Sequence, residues 1–141
     1  MKVSKLNNPN KFVTLNFKQY KINWNSDSCS KIQTRAKNLL EPYWKNYLVG
    51  EEVRLPGSLL RLDFLNFSNF IAIEIDPIEH HDNYNPFFHQ SRAGYLRSIK
   101  SGISKEKWCE QNKITLLRLN EFDLDWFSPK YIELNYKINI V

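Results

Sequence analysis

Residues 59–76 read LLRLDFLNFSNFIAIEID. Two apolar runs flank the turn-forming pair Ser68-Asn69, and both carry acids where a buried strand ordinarily has none. Asp63 interrupts the first run; Glu74 and Asp76 interrupt the second. An unpaired buried carboxylate is costly, so three of them on neighbouring strands point to a shared ligand, and a divalent cation is the chemical match. Side chains alternate along a strand, which puts Glu74 and Asp76 on one face and Arg61 and Asp63 on one face. A two-residue loop at Ser68-Asn69 sets Asp63 opposite Glu74. A two-residue loop at Gly57-Ser58, with Gly first as a type II′ turn prefers, sets Glu52 opposite Asp63. The result is a row Glu52, Asp63, Glu74 across three strands, with Arg54, Arg61 and Asp76 in the next row. The opposite face carries Val53, Leu62 and Ile75, then Phe64 beside Ile73, and reads as a core face. Opposed side chains have Cβ atoms about 5 Å apart, a spacing that suits carboxylates sharing a metal.

The competing reading of the same acids is a solvated sheet face on which they pair with Arg54 and Arg61. Antiparallel sheets commonly keep one wet face. Spacing alone leaves the two readings level, and the flanking chain has to separate them.

Working outward, the predicted order is a helix from Ser28 or Ser30 through Leu40, then strands over 49–55, 59–66 and 70–76. Pro42 marks a break or the first turn of a second helix. The turn-rich stretch 76–87 is a loop. A long helix follows over 88–111, kinked near Ser101-Gly102, and then a buried strand over 114–119. Short helices over 122–126 and from Ser128 complete the chain. Residues 1–26 read as an N-terminal extension, a strand over 12–17 or an arm, and residues 27–141 as one domain. The whole is an α/β chain with a mixed central sheet flanked by helices.

The chain has 141 residues and 14% aromatics, with nine Phe, seven Tyr and four Trp. That suffices for a core of its own and argues against disorder. Two cysteines, Cys29 and Cys109, are too few for a disulfide framework or a thiolate zinc site. They read as reduced thiols on helices of a cytoplasmic protein. No stretch resembles a signal peptide or a membrane span. The formal charge of +5 suits a polyanionic partner, nucleic acid first, although modest positive charge also serves solubility.

Helix, three strands, helix, strand, with acids at these strand positions, resembles the PD-(D/E)xK nuclease superfamily, the restriction-endonuclease-like αβββαβ core. Its signature is an Asp on the second strand followed by Glu/Asp-x-Lys on the third. Asp63 corresponds to the first acid and Glu74-Ile75-Asp76 to the second element, with Asp76 in place of the Lys. The run Ile73-Glu74-Ile75-Asp76-Pro77-Ile78-Glu79-His80 is similar to the I-E-V-D-G-x-x-H of the very-short-patch repair branch and the related phage homing endonucleases, Pro77 standing for Gly and His80 in register. The likeness covers roughly residues 28–124.

The resemblance implies a nuclease-like domain over 27–141 and a Mg²⁺-dependent DNA endonuclease, with Mn²⁺ as a substitute, of homing, nicking or repair type. It implies Asp63, Glu74 and Asp76 as metal ligands and, with His80, as the catalytic set, His80 moving a proton near neutral pH. Accessory candidates are Gln33, Glu41, Glu52 and His89. Arg92, Arg97, Lys100 and Lys105, with Tyr95 and Trp108 among them, read as a phosphate-contacting helix face. Lys100 and Lys105 are also candidates to replace the missing motif Lys. A zinc site of His80, His81, Asp82 and His89 is disfavoured, because adjacent ligands rarely converge on one tetrahedral ion. DNA is the implied partner, with a homodimer if both strands are cut and the host cytoplasm as the place if the chain is phage-encoded. Two rivals stand beside this reading: a junction resolvase, and a degenerate nuclease fold that binds DNA or protein without cutting.

Overall fold

In the computed structural model, which describes residues 1–77 and 92–141, the chain begins with a small antiparallel hairpin, β1 (Lys2–Lys5) and β2 (Asn8–Thr14), followed by a single turn of helix, α1 (Phe17–Tyr20). The strand expected over 12–17 therefore ends at Thr14, because Asn16 caps α1 by accepting from Lys18 N. Ser30 caps α2 (Lys31–Trp44), its hydroxyl accepting from Gln33 N at 3.2 Å. Pro42 neither breaks this helix nor opens another. Proline crowds the carbonyl four residues back, but the helix ends two residues later and Trp44 is fully buried, its Nε1 donating to Ile140 O at 2.8 Å. Burial of the Trp outweighs the local cost.

The main sheet comprises β3 (Val49–Arg54), β4 (Arg61–Asn66), β5 (Ile71–Asp76) and β6 (Thr115–Asn120), in that spatial order. The first three strands are antiparallel, and β6 runs parallel to β5. A parallel pair needs a crossover, and α3 (Arg92–Gln111) lies in the segment that makes it. The helix is unbroken at Ser101-Gly102, since one glycine costs a helix only about 1 kcal/mol, and Gly102 O accepts from Arg118 at 2.8 Å. Two short helices follow, α4 (Glu121–Asp125) and α5 (Pro129–Tyr136).

Each side of the sheet has its own core. Ala36, Leu40 and Trp44, spaced by four along α2, pack with Phe64, Ile71, Ile73, Ile75, Leu117 and Leu119, and with Leu124 and Ile132 of α4 and α5. Trp108 and Cys109 of α3 pack with Val53, Leu62, Leu65 and Ala72, and with Val3 and Leu15 from the N-terminal segment. Residues 1–26 are thus docked on the sheet and α3; Trp108 Nε1 donates to Ser4 O at 2.8 Å.

The predicted strand register holds: Glu51 faces Phe64, Val53 faces Leu62, and Phe64 faces Ile73. The turns that set it differ from expectation. Ser58 N donates to Leu55 O, with Pro56 and Gly57 between and φ +83° at Gly57. That is the type II arrangement, proline first and glycine second. The second connection is longer than two residues: Phe70, at φ +58°, closes onto Asn66 O. The expected single core face is also divided. Val53 and Leu62 belong to the α3-side core, whereas Phe64, Ile73 and Ile75 belong to the α2-side core. Alternation breaks at Glu52, whose φ is +54°, and opposite it at Asp63.

Candidate active site

The β4–β5 pairing runs from Asn66–Ile71 to Phe64–Ile73. One step further, carboxylates stand between the strands. Asp63 N donates to Glu74 Oε2 at 2.9 Å, and Ile75 N donates to Asp63 Oδ2 at 2.8 Å. Each acid thus occupies the place of a ladder carbonyl, and the backbone fixes its aim. This reciprocal exchange is available only to acids set opposite one another, as Asp63 and Glu74 are.

Glu74 is 3% exposed and its Oε1 is ion-paired with Lys105 Nζ, reaching in from α3. Asp63 is half-buried. Burial, then the charge and hydrogen bond of Glu74, push its carboxyl up to about 8, against smaller opposing effects of Ile75 N–H and Lys105. Asp63 therefore keeps its proton well above the ordinary carboxylate range, because a carboxyl buried beside another carboxylate ionises reluctantly. Behind them lies the buried Cys109 thiol, pushed up to about 12 by burial and by Glu74.

Asp76 takes a different partner from the one expected. Arg61 is exposed, while Arg118 of β6 places Nη1 3.8 Å from Asp76 Oδ2. The parallel register explains this, since Arg118 stands level with Glu74 and Asp76 is two residues on. The same guanidinium lies 3.3 Å from Glu106. Among the described residues, no three His, Cys, Asp or Glu side chains close around one point as metal ligands would. Asp63 and Glu74 are brought together; Asp76 is turned to Arg118.

The accessory candidates divide. Gln33 is buried at the start of α2, and its Nε2 donates to Glu51 Oε2 at 2.9 Å and Glu52 Oε1 at 3.0 Å. Glu52 also accepts from Cys29 Sγ, at 3.3 Å to its Oε1. Cys29 precedes α2 rather than lying on it. Its thiol is raised by burial, by Glu52 and by the charge of Asp63. Glu41 stands two turns along α2 from Gln33, about 12 Å at the helical rise, and is not brought to the carboxylates. His80, His81 and His89 lie outside the described residues. Arg97 and Lys100 are exposed on α3, and Arg92 is its first residue. Lys105, read both as a DNA contact and as a candidate for the missing motif Lys, is turned inward to Glu74.

Sequence reasoning passed over Lys37, Glu51 and Arg118. Of these only Arg118, inside Leu116-Leu117-Arg118-Leu119, carried the signal that marked Asp63, a charge in an otherwise apolar run.

Asp63 and Glu74 offer hard oxygen donors suited to Mg²⁺ or Mn²⁺. No protein-family model, curated protein or solved structure matches the chain.

Proposed function

We propose that this protein is a divalent-cation-dependent DNA endonuclease. The observation that carries the reading is the Asp63–Glu74 pair, aimed by backbone N–H groups and flanked by Lys105. A bound Mg²⁺ supplies a nucleophilic water and neutralises charge on the phosphate. Asp63 and Glu74 would hold the cation through their oxygens. Lys105, beside Glu74, would place a positive charge next to the anionic phosphorus centre. It supplies from α3 the cation that Asp76 displaces from the third strand, which favours cleavage over a binding-only fold. Arg118 holds Asp76 away from the reacting phosphate. Exposed Arg97, Lys100 and Lys107 on α3, with the net charge of +5, favour a polyanionic substrate.

The test is incubation with supercoiled plasmid in Mg²⁺, in Mn²⁺ and in EDTA. Nicked or linear product with either cation, none in EDTA and none from Asp63→Asn supports the proposal. Equal cleavage by wild type and Asp63→Asn rejects this active site. Absence of cleavage by wild type on any DNA form favours the binding-only fold.

A further inference from the structure

Residues 1–26 hold five lysines, Lys2, Lys5, Lys11, Lys18 and Lys21, and no Asp or Glu. The chain's 20 Lys and Arg, less these five, equal its 15 Asp and Glu. The net charge of +5 is therefore the charge of the N-terminal segment, and the rest of the chain is balanced.

The fold keeps this charge outward. Lys2, Lys11, Lys18 and Lys21 are exposed, and Lys5 is half-buried. Among the described residues none of the five is ion-paired, whereas Lys37, Lys105 and Arg118 each meet an acid. The exposed cations of α3 are in different company, since Glu106 and Glu110 are exposed on the same helix. Phe12, 56% exposed, lies under Lys2 Nζ at 5.8 Å. It gives the hairpin an apolar ring on which a sugar or base can rest.

The segment is also fixed in place. Ser4 N donates to Asn112 Oδ1 at 2.7 Å, Trp108 Nε1 to Ser4 O at 2.8 Å, and Gln111 Nε2 to Lys5 O at 3.1 Å. Val3 and Leu15 are buried in the α3-side core. At the far end Ile22 N donates to Val49 O at 3.0 Å on β3. Lysines on a docked backbone lose less freedom on binding than lysines on a loose arm.

We propose that the β1–β2 hairpin and α1 form the principal nucleic-acid backbone surface of this protein, with Lys2, Lys11, Lys18 and Lys21 contacting phosphates. Such contacts fix position without reading sequence. The choice of DNA as the polyanion rests on the nuclease reading above; the charge argument does not. Trp108, which holds Ser4, stands three residues beyond Lys105 on α3, about 4.5 Å of helical rise. The surface is thus anchored within one turn of the lysine that meets Glu74.

The experiment compares two double variants that lose the same charge, Lys11→Ala with Lys18→Ala, and Lys45→Ala with Lys130→Ala, all four lysines being exposed. Gel shifts at several salt concentrations, on two unrelated duplexes, give the slope of log affinity against log salt. The first double should lower that slope by about two and weaken binding alike on both duplexes. The second should keep the wild-type slope. If the first double fails to fold by circular dichroism, Lys11→Gln with Lys18→Gln decides. An unchanged slope in the folded N-terminal double overturns the proposal. So do equal losses in both doubles, which would make net charge rather than a placed surface the cause, and wild-type binding that ignores salt. If the slopes behave as expected but wild type cuts no DNA, the surface stands and the nuclease reading falls.

Discussion

Asp63 concentrates the physical chemistry of this protein in one side chain. Its carboxyl is raised from an ordinary 3.8 to about 8, first by burial and then by Glu74. An acid raised by folding favours the fold while it remains protonated there. Its contribution falls as pH climbs through that interval and is gone above it. Asp63→Asn has no such proton to lose. The melting temperature of Asp63→Asn relative to wild type should therefore improve from about pH 4 to about pH 8 and level off above it, measured by thermal unfolding in matched buffers. A pH-independent difference would show that Asp63 is not the titrating group. The same variant should lose Mg²⁺-dependent cleavage while binding DNA as tightly as wild type near neutral pH, since the raised Asp63 carboxyl is uncharged there without a cation; plasmid nicking and gel shift at fixed salt read the two properties separately.

Among the elements, α3 carries the largest functional load. It brings Lys105 to Glu74 and Trp108 to the core, and it sets Gly102 against Arg118. Lys105→Met should reduce cleavage by roughly 10² to 10³, the scale of removing one preorganised donor. It should also cost stability, up to about 3 kcal/mol, because Glu74 is left buried without its counter-charge. Single-turnover nicking and urea unfolding separate the two effects. The β3–β4 turn makes an independent point about the fold. A Cβ at Gly57 would sit 2.2 Å from Asn7 Oδ1, and φ there is +83°. Gly57→Ala should destabilise by about 1–3 kcal/mol without changing the Mg²⁺ dependence of cleavage, as read by urea unfolding and a metal titration.

For the molecule as a whole, charge is unevenly spread. Glu51, Glu74 and Asp76 of the sheet are matched by Lys37, Lys105 and Arg118, while Arg97, Lys100 and Lys107 stay exposed on α3. These exposed cations, with the net charge of +5, predict DNA affinity that weakens with salt. Replacing Lys100 by Ala should weaken binding about equally across sequences and reduce the slope of log affinity against log salt by about one. Gel shifts at several salt concentrations, on two unrelated duplexes, measure both quantities. An unchanged slope would place the phosphates elsewhere. Among the described residues no helix is long and apolar enough to cross a membrane.

Local pattern alone determined much of this protein. The α/β class, the strand register and the opposition of Asp63 to Glu74 follow from period-two apolar runs around short turns, and turn position sets register whatever the turn type. The helix start at Ser30 was legible because capping is a local hydrogen bond. Tertiary structure alone decided the rest, and always where a distant group outweighed a local preference. Burial of Trp44 carries α2 through Pro42. Arg118, remote in sequence, draws Asp76 from Arg61. Glu52 takes a left-handed backbone conformation that no strand pattern foretells, and the break in alternation there divides the expected core face between two cores. Lys105 stood level with Lys100 in the sequence, each both a phosphate-contacting cation and a candidate for the missing motif Lys. Only the packing of α3 across the sheet, which places a helix side chain against a buried carboxylate on β5, makes it part of the site.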